Sequence, residues 1–286
     1  MYIDESLQGK TIQELLENEM HLTKREIRGL KFDPPGIRLN GRQARVTERV
    51  KAGDILEASS PRSTMVRPEE GELDILYEDE ALLIVNKPAG LVVHPSPDHL
   101  SSTLANFVEG YYRRTGQPWH FHTAGRLDKE TSGLIVFPKS AWVQEKIRRL
   151  QEDGQWTKTY LAVATGRFEQ EEGEIDQPLS ASGRIRKMQA DPEGLSARTR
   201  WKVLRQYEDR ALLICQIESG RMHQIRAHLN SIGHPLLGDT FYGGKPEGIA
   251  RTALHCRRLE GLHPFTGELL VVEAPLPADF QNVASA

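Results

Sequence analysis

The 286-residue chain is short of several features that announce a function. It has two cysteines, Cys215 and Cys256, without C-x-x-C spacing. Neither a disulfide framework nor structural zinc is therefore expected, and both thiols read as reduced and mostly buried. No apolar run approaches the roughly 20 residues of a membrane span, which leaves a membrane unexpected as a partner. Met1 to Lys10 lack the basic start and apolar centre of a signal peptide, so a cytoplasmic location is the expectation. There is no repeat long enough to suggest a solenoid. An overall basic excess is missing as well. The formal net charge of -3 argues weakly against a partner that is simply polyanionic, and DNA is not expected.

The average hides one basic stretch. From His21 to Lys51 there are nine basic side chains, Lys24, Arg25, Arg28, Lys31, Arg38, Arg42, Arg45, Arg49 and Lys51, against Glu26, Asp33 and Glu48. A charge run is usually a solvated face, so the pattern inside it decides. "TIQELLENEM" puts Ile12, Leu15 and Leu16 on one helical stripe, and "TKREIRGL" offers Thr23 as N-cap with Glu26 three residues later, as in a capping box. Asn40-Gly41 marks a tight turn between short strands and Ala52-Gly53-Asp54 another. Two helices followed by a small ribbon, carried by "LTKREIRGL", "IRLNGR" and "VKAGDIL", resemble the S-four-like RNA-binding domain. The resemblance implies that Lys24, Arg25, Arg28, Arg38 and Arg42 meet RNA phosphates, contacts that position a protein without reading sequence.

"SSPRSTMVRPEEGE" is rich in serine, proline, glycine and charge without periodicity, and reads as a linker. The expected organisation is a small α/β domain at 1–58, a linker at 59–72 and a large domain at 73–286. In the large domain, apolar runs at "GLIVFP", "TYLAVATG", "ALLICQIES" and "LLVVEAP" read as strands, and "AWVQEKIRRLQ" repeats Val143, Ile147 and Leu150 at helical spacing. Strands that follow one another without regular helices favour an α+β fold with a mixed, largely antiparallel central sheet and flanking helices.

"SGRMHQIRAHLNSIGHPLLGD" carries a helical stripe of Met222, Ile225, Leu229 and Ile232 after a Ser219-Gly220 start, and Arg226 lies within it. On this wheel His223 and Ala227 point away. Arg226 either snorkels to water or is buried, and a buried guanidinium requires a carboxylate from elsewhere in the chain. Asp128 in "GRLDKETSG" is the candidate. Taken alone, it reads as a turn or capping acid.

The blocks "YEDEALLIVNKPAGLVVHP", "GRLDKETSGLIVFPKS", "KTYLAVATG", "SGRMHQIRAHLNSIGHPLLGDTFYG" and "ALHCRRLEGLHP" occur in one order that resembles the RluA-type family of pseudouridine synthases, over residues 77–275. The resemblance implies isomerisation of uridine within RNA, without metal or other cofactor: the bond from sugar to ring nitrogen breaks and a carbon–carbon bond replaces it. It implies Asp128 as nucleophile or base at the sugar, with Arg226 holding it ionised and in place. Tyr160 would stack on the base and is a candidate for removing the carbon-bound proton. Arg126 would enter the space left by the flipped nucleotide, and Leu254 would line the base pocket. This chain has Gly125 where many members carry histidine.

His223 and His228 are five apart, wrong for shared metal ligation on a helix, and His120 and His122 have no companion ligand at fitting spacing. Lys87 and His94 read as turn and strand-end residues near RNA. One alternative stays open, a non-catalytic RNA-binding or ribosome-assembly factor; a hydrolase using Asp128 with Glu130 would need a poised water and gives no reason for Arg226 and Tyr160. The expected partner is RNA, ribosomal (large subunit) before transfer RNA, met by a monomer.

Overall fold

A computed structural model describes residues 1–20, 22, 24–31, 36–59, 66–96, 99–183 and 187–285. The chain divides into two compact units, Met1–Met65 and Val66–Ala286. The first holds α1 (Ile12–Asn18), α2 (Lys24–Leu30), β1 (Gly36–Leu39), β2 (Arg42–Gln43) and β3 (Leu56–Ser59). Thr11 caps α1, and Glu14 reaches back to the Thr11 amide to complete a capping box. Ile12, Leu15 and Leu16 are buried against Ile27, Leu30, Ile37 and Leu56. Asn40 and Gly41 both take positive φ, the primed turn that joins β1 to β2, in a sheet ordered β2-β1-β3. The capping box expected at Thr23 and Glu26 lies outside the described residues.

The second unit holds β4 (Ile75–Glu78), β5 (Leu82–Lys87), α3 (Leu104–Arg114), β6 (Ser132–Pro138), α4 (Ala141–Glu152), β7 (Trp156–Thr165), β8 (Glu172–Asp176), β9 (Leu179–Ser182) and β10 (Lys187–Ala190). These are followed by β11 (Arg198–Gln206), β12 (Arg210–Ile217), α5 (Gln224–Ser231), a short 3-10 turn (Thr240–Tyr242), β13 (Leu254–Leu262), β14 (Leu269–Glu273) and α6 (Ala278–Ser285). Among the described residues nine strands form one mixed sheet in the order β4-β5-β6-β13-β7-β12-β11-β8, with β14 along the second half of β13. Its strand pairs are antiparallel except β6 with β13. The fold is α+β.

All seven positions of β6 are buried, as a continuous apolar run requires. Helix α4, capped by Ser140, lays Val143, Ile147 and Leu150 on the same core. Within the expected linker stretch, the Glu69 amide donates to the Asn106 carbonyl, and Asn106 Nδ2 donates to the Arg67 carbonyl, so these residues rest on α3. Both cysteines are free and buried.

The parallel pair β6–β13 is the feature that positions the site. His255 faces Ser132 and Cys256 faces Gly133 in register. Gly133 has φ 106°, and a Cβ there would collide with the Cys256 backbone, so the glycine after Thr131-Ser132 lets the two strands approach. The turn carrying Asp128 opens immediately before β6, and Leu254 starts β13.

Candidate active site

Asp128 sits in a turn closed by the Thr131 amide, which donates to its carbonyl at 3.1 Å. Leu127 is buried in the core while Arg126 is exposed, so one apolar anchor sends the flanking side chains toward solvent and cleft. From behind, Lys87 holds the turn. Its Nζ donates to the carbonyls of Pro88 at 2.8 Å, Leu91 at 2.9 Å and Lys129 at 3.1 Å, and the Gly90 amide also donates to Lys129. Lys87 is fully buried rather than a turn residue at the surface, a correction to the sequence expectation. Burial pulls its ammonium down to about 7, while three carbonyl acceptors favour keeping the third proton, because a neutral amine has donors for only two. Gly125 has φ 102°, a conformation strained for any residue with a Cβ, which gives a physical reason for glycine there.

The Arg226 guanidinium reaches Asp128 through Nη1, 3.1 Å from Oδ2. Its principal partner is a different acid. Nε and Nη2 bind Asp239 in a fork, at 2.6 and 2.9 Å. The Asp239 side chain is 1% exposed, that of Arg226 8% and that of Asp128 14%. Asp239 thus fixes the plane of the guanidinium, and Asp128 receives its remaining edge. Burial lowers the pKa of Arg226, but the two carboxylates outweigh it and hold the net value above the ordinary one. Sequence reasoning missed Asp239, which follows Gly238 and reads as a turn acid.

Helix α5 begins at Gln224, later than the Ser219-Gly220 start expected. His223 is its N-cap residue with φ 52°, outside the helical wheel, and its Nε2 lies 3.9 Å from Asp128 Oδ2. The expectation that His223 points away therefore fails, because the wheel assumed helical backbone where the chain is left-handed. Ala227 is also buried, against Tyr242 and Met188, so α5 is covered on more than one side. His228 is fully buried and bonded to Thr199 Oγ1 and the Gln177 carbonyl.

Asp128 and Arg226 line a cleft of about 820 Å³, within the size range of small-ligand sites. Tyr160, Leu254, Arg126, Lys158 and His223 line it with Asp128 and Arg226. Tyr160 projects from β7, paired with Cys256 of β13. Burial, with Cys256 beside it, pushes its phenol well above the usual tyrosine range. Lys158 donates to the Ala124 carbonyl at 3.2 Å at the mouth of the loop. Arg126 makes no salt bridge among the described residues. Glu130, the second acid of the hydrolase alternative, does not line the cleft. A larger cleft of about 1100 Å³, beside Lys87, Ser132 and Arg251, contains none of Asp128, Tyr160 and Arg226.

In the first unit Lys24, Arg28, Arg38 and Arg42 are exposed, and Arg42 is paired with Glu48 at 2.7 Å. The Arg25 side chain lies outside the described residues.

Residues 81–231 match the family model described as RNA pseudouridylate synthase. The chain is 40% identical over 242 residues to the uncharacterized RNA pseudouridine synthase YhcT of Bacillus subtilis (strain 168), covering 82% of this chain and 79% of that protein. It is 36% identical over 238 residues to ribosomal large subunit pseudouridine synthase D of Pasteurella multocida (strain Pm70), covering 78% and 73%. Among solved structures, human RNA Pseudouridylate Synthase Domain Containing 1 aligns with a TM-score of 0.58 at 25% identity, over 73% of this chain and 86% of that one.

Proposed function

Because the chain belongs to the RNA pseudouridylate synthase family, of the RluA type, and is thus an isomerase acting on RNA, we propose that Asp128 is its reacting carboxylate and large-subunit ribosomal RNA its substrate. The observation that carries the first part is the meeting of Asp128 and Arg226 at 3.1 Å in a cleft also lined by Tyr160 and Leu254. The guanidinium bond restricts the carboxylate's rotamer, as attack on the ribose or removal of a ribose proton requires. Tyr160 supplies a face on which uracil stacks while it turns. Burial keeps its hydroxyl neutral, which favours stacking over service as a phenolate base in the free protein.

A uridine must leave its helix to enter the cleft, and unstacking costs a few kcal/mol that pocket contacts offset. Exposed Arg126 fills the vacated position and Leu254 packs on the base edge. The unit Met1–Met65 serves as the S-four-like domain, with Lys24, Arg25, Arg28, Arg38 and Arg42 as its phosphate contacts. Ribosomal RNA is favoured over transfer RNA by the names of relatives 32 to 38% identical, which are ribosomal large subunit pseudouridine synthases D. The test maps pseudouridine in RNA from cells with and without the protein, and incubates purified protein with the deficient RNA. Asp128→Asn is expected to abolish product while leaving RNA binding intact. Normal turnover by that variant refutes the assignment.

A further inference from the structure

Three observations converge on His223. Its backbone is held at φ 52°, ψ 23°, a left-handed conformation that glycine takes freely and that strains a residue with a Cβ. Continued helical backbone would carry the imidazole away from the cleft, whereas the left-handed turn delivers Nε2 to 3.9 Å from Asp128 Oδ2. The surroundings also determine which ring nitrogen bears the proton. The Met188 amide donates to the Tyr242 hydroxyl at 3.0 Å, and His223 Nδ1 lies 3.3 Å from that same oxygen. With one donor already received, the phenol still has its own proton to give, and donation to Nδ1 fits the 3.3 Å contact. A neutral imidazole accepting at Nδ1 carries its hydrogen on Nε2, facing Asp128.

Arg226 Nη1 approaches the same oxygen, Oδ2. Among the described residues no hydrogen bond is made to Oδ1. We propose that His223 is a positioning residue for the reaction: its Nε2–H and the Arg226 guanidinium hold Oδ2 together and present Oδ1 to the ribose. The inference rests on Asp128 being the reacting carboxylate. A separation of 3.9 Å is longer than a hydrogen bond, and such contacts close when substrate fills the site. Burial keeps the imidazole uncharged, against the pull of Asp128 and Asp239 and with the repulsion of Arg226 and Arg126. The strain and the Tyr242 contact have no use in a helix cap, since His223 makes no capping bond with its side chain.

The test measures pseudouridine formation on RNA from cells lacking the protein. His223→Leu is expected to lower kcat about 10- to 100-fold with KM unchanged, the effect of one hydrogen bond to a charged group. His223→Gln places an amide N–H near the position of Nε2 and recovers part of the loss; the shorter His223→Asn does not. Tyr242→Phe releases the tautomer and costs a smaller factor. His223→Gly, which relieves the backbone, serves as a folded variant lacking the ring and is expected to match His223→Leu in kcat. Wild-type kcat in the Leu and Gly variants, or no recovery with Gln, overturns the proposal. Full activity in Asp128→Asn on the same RNA instead overturns the reading beneath it.

Discussion

Replacing Asp239 by asparagine tests whether this acid, rather than Asp128, carries the structural weight of the ion network. Arg226 sits between the two carboxylates, but the bonds are unequal: two to Asp239, at 2.6 and 2.9 Å, and one to Asp128, at 3.1 Å. Asp239 is also the more buried. Asparagine keeps the shape and one acceptor but loses the charge and one of the two charge-assisted bonds. Breaking a buried pair costs about 3–5 kcal/mol because a charge is left without compensation. Asp128 still compensates Arg226 in part, which places Asp239→Asn near the lower end, about 3 kcal/mol. In a unit of this size each kcal/mol moves Tm by roughly 2–4 °C, so the midpoint falls by about 6–12 °C. Asp128→Asn removes a single longer bond at a partly exposed site, and about 1 kcal/mol is expected. Thermal unfolding followed by circular dichroism, run beside pseudouridine formation, separates the two roles. Asp239→Asn should lose much stability and part of its activity, whereas Asp128→Asn should lose little stability and all activity. A wild-type midpoint for Asp239→Asn refutes the reasoning.

Gly133→Ala drives a Cβ into the Cys256 backbone at positive φ, and the protein is expected to unfold at least 10 °C lower or to fail to accumulate as soluble protein; an unchanged melting curve is the contrary result. Lys87→Met leaves the Pro88 and Leu91 carbonyls without the ammonium, while the Lys129 carbonyl keeps the Gly90 amide, a loss of about 2 kcal/mol by chemical denaturation, and an equally stable variant would show that water replaces the ammonium. Burial holds His255 down to about 4, from an ordinary 6.5. Between those values the unfolded chain binds a proton that the folded chain refuses, so stability falls as pH drops from 6.5 to 4, by about 3 kcal/mol from this group. His94, His223 and His228 are lowered in the same direction. Denaturation midpoints against pH check this, with His255→Gln expected to show a shallower acid slope.

The apolar run that became β6 was legible because a strand buried on both faces must be written as a nearly continuous apolar segment, and those of β7, β12 and β14 from their apolar, β-branched-rich composition. Helix α4 was legible from three apolar residues at helical spacing, and Asn40-Gly41 from the positive φ that few other pairs supply. Polar strands left weaker marks. In β11, arginines and lysine alternate with the buried Thr199 and Trp201, and the arginines' salt-bridge partners are Glu174 and Asp176 of β8 and Glu218, just past the end of β12. The start of α5 was misplaced because periodicity counts side chains and is blind to φ at His223. Lys87 was misread because "NKPAG" has the composition of a turn, and nothing local tells that three carbonyls will close over the ammonium.

The order of the motifs by itself determined the family, the class of sheet and the choice of Asp128, Tyr160 and Arg226, since these depend on residue types and patterns fixed along the chain. The tertiary structure alone decided how they are held: Asp239 taking the greater share of Arg226, His223 turned toward Asp128, and Lys87 beneath the loop. Each of these is a contact between polar groups withdrawn from water. Its strength depends on distance, orientation and exclusion of solvent, and those quantities exist only once β6, β13 and α5 have packed.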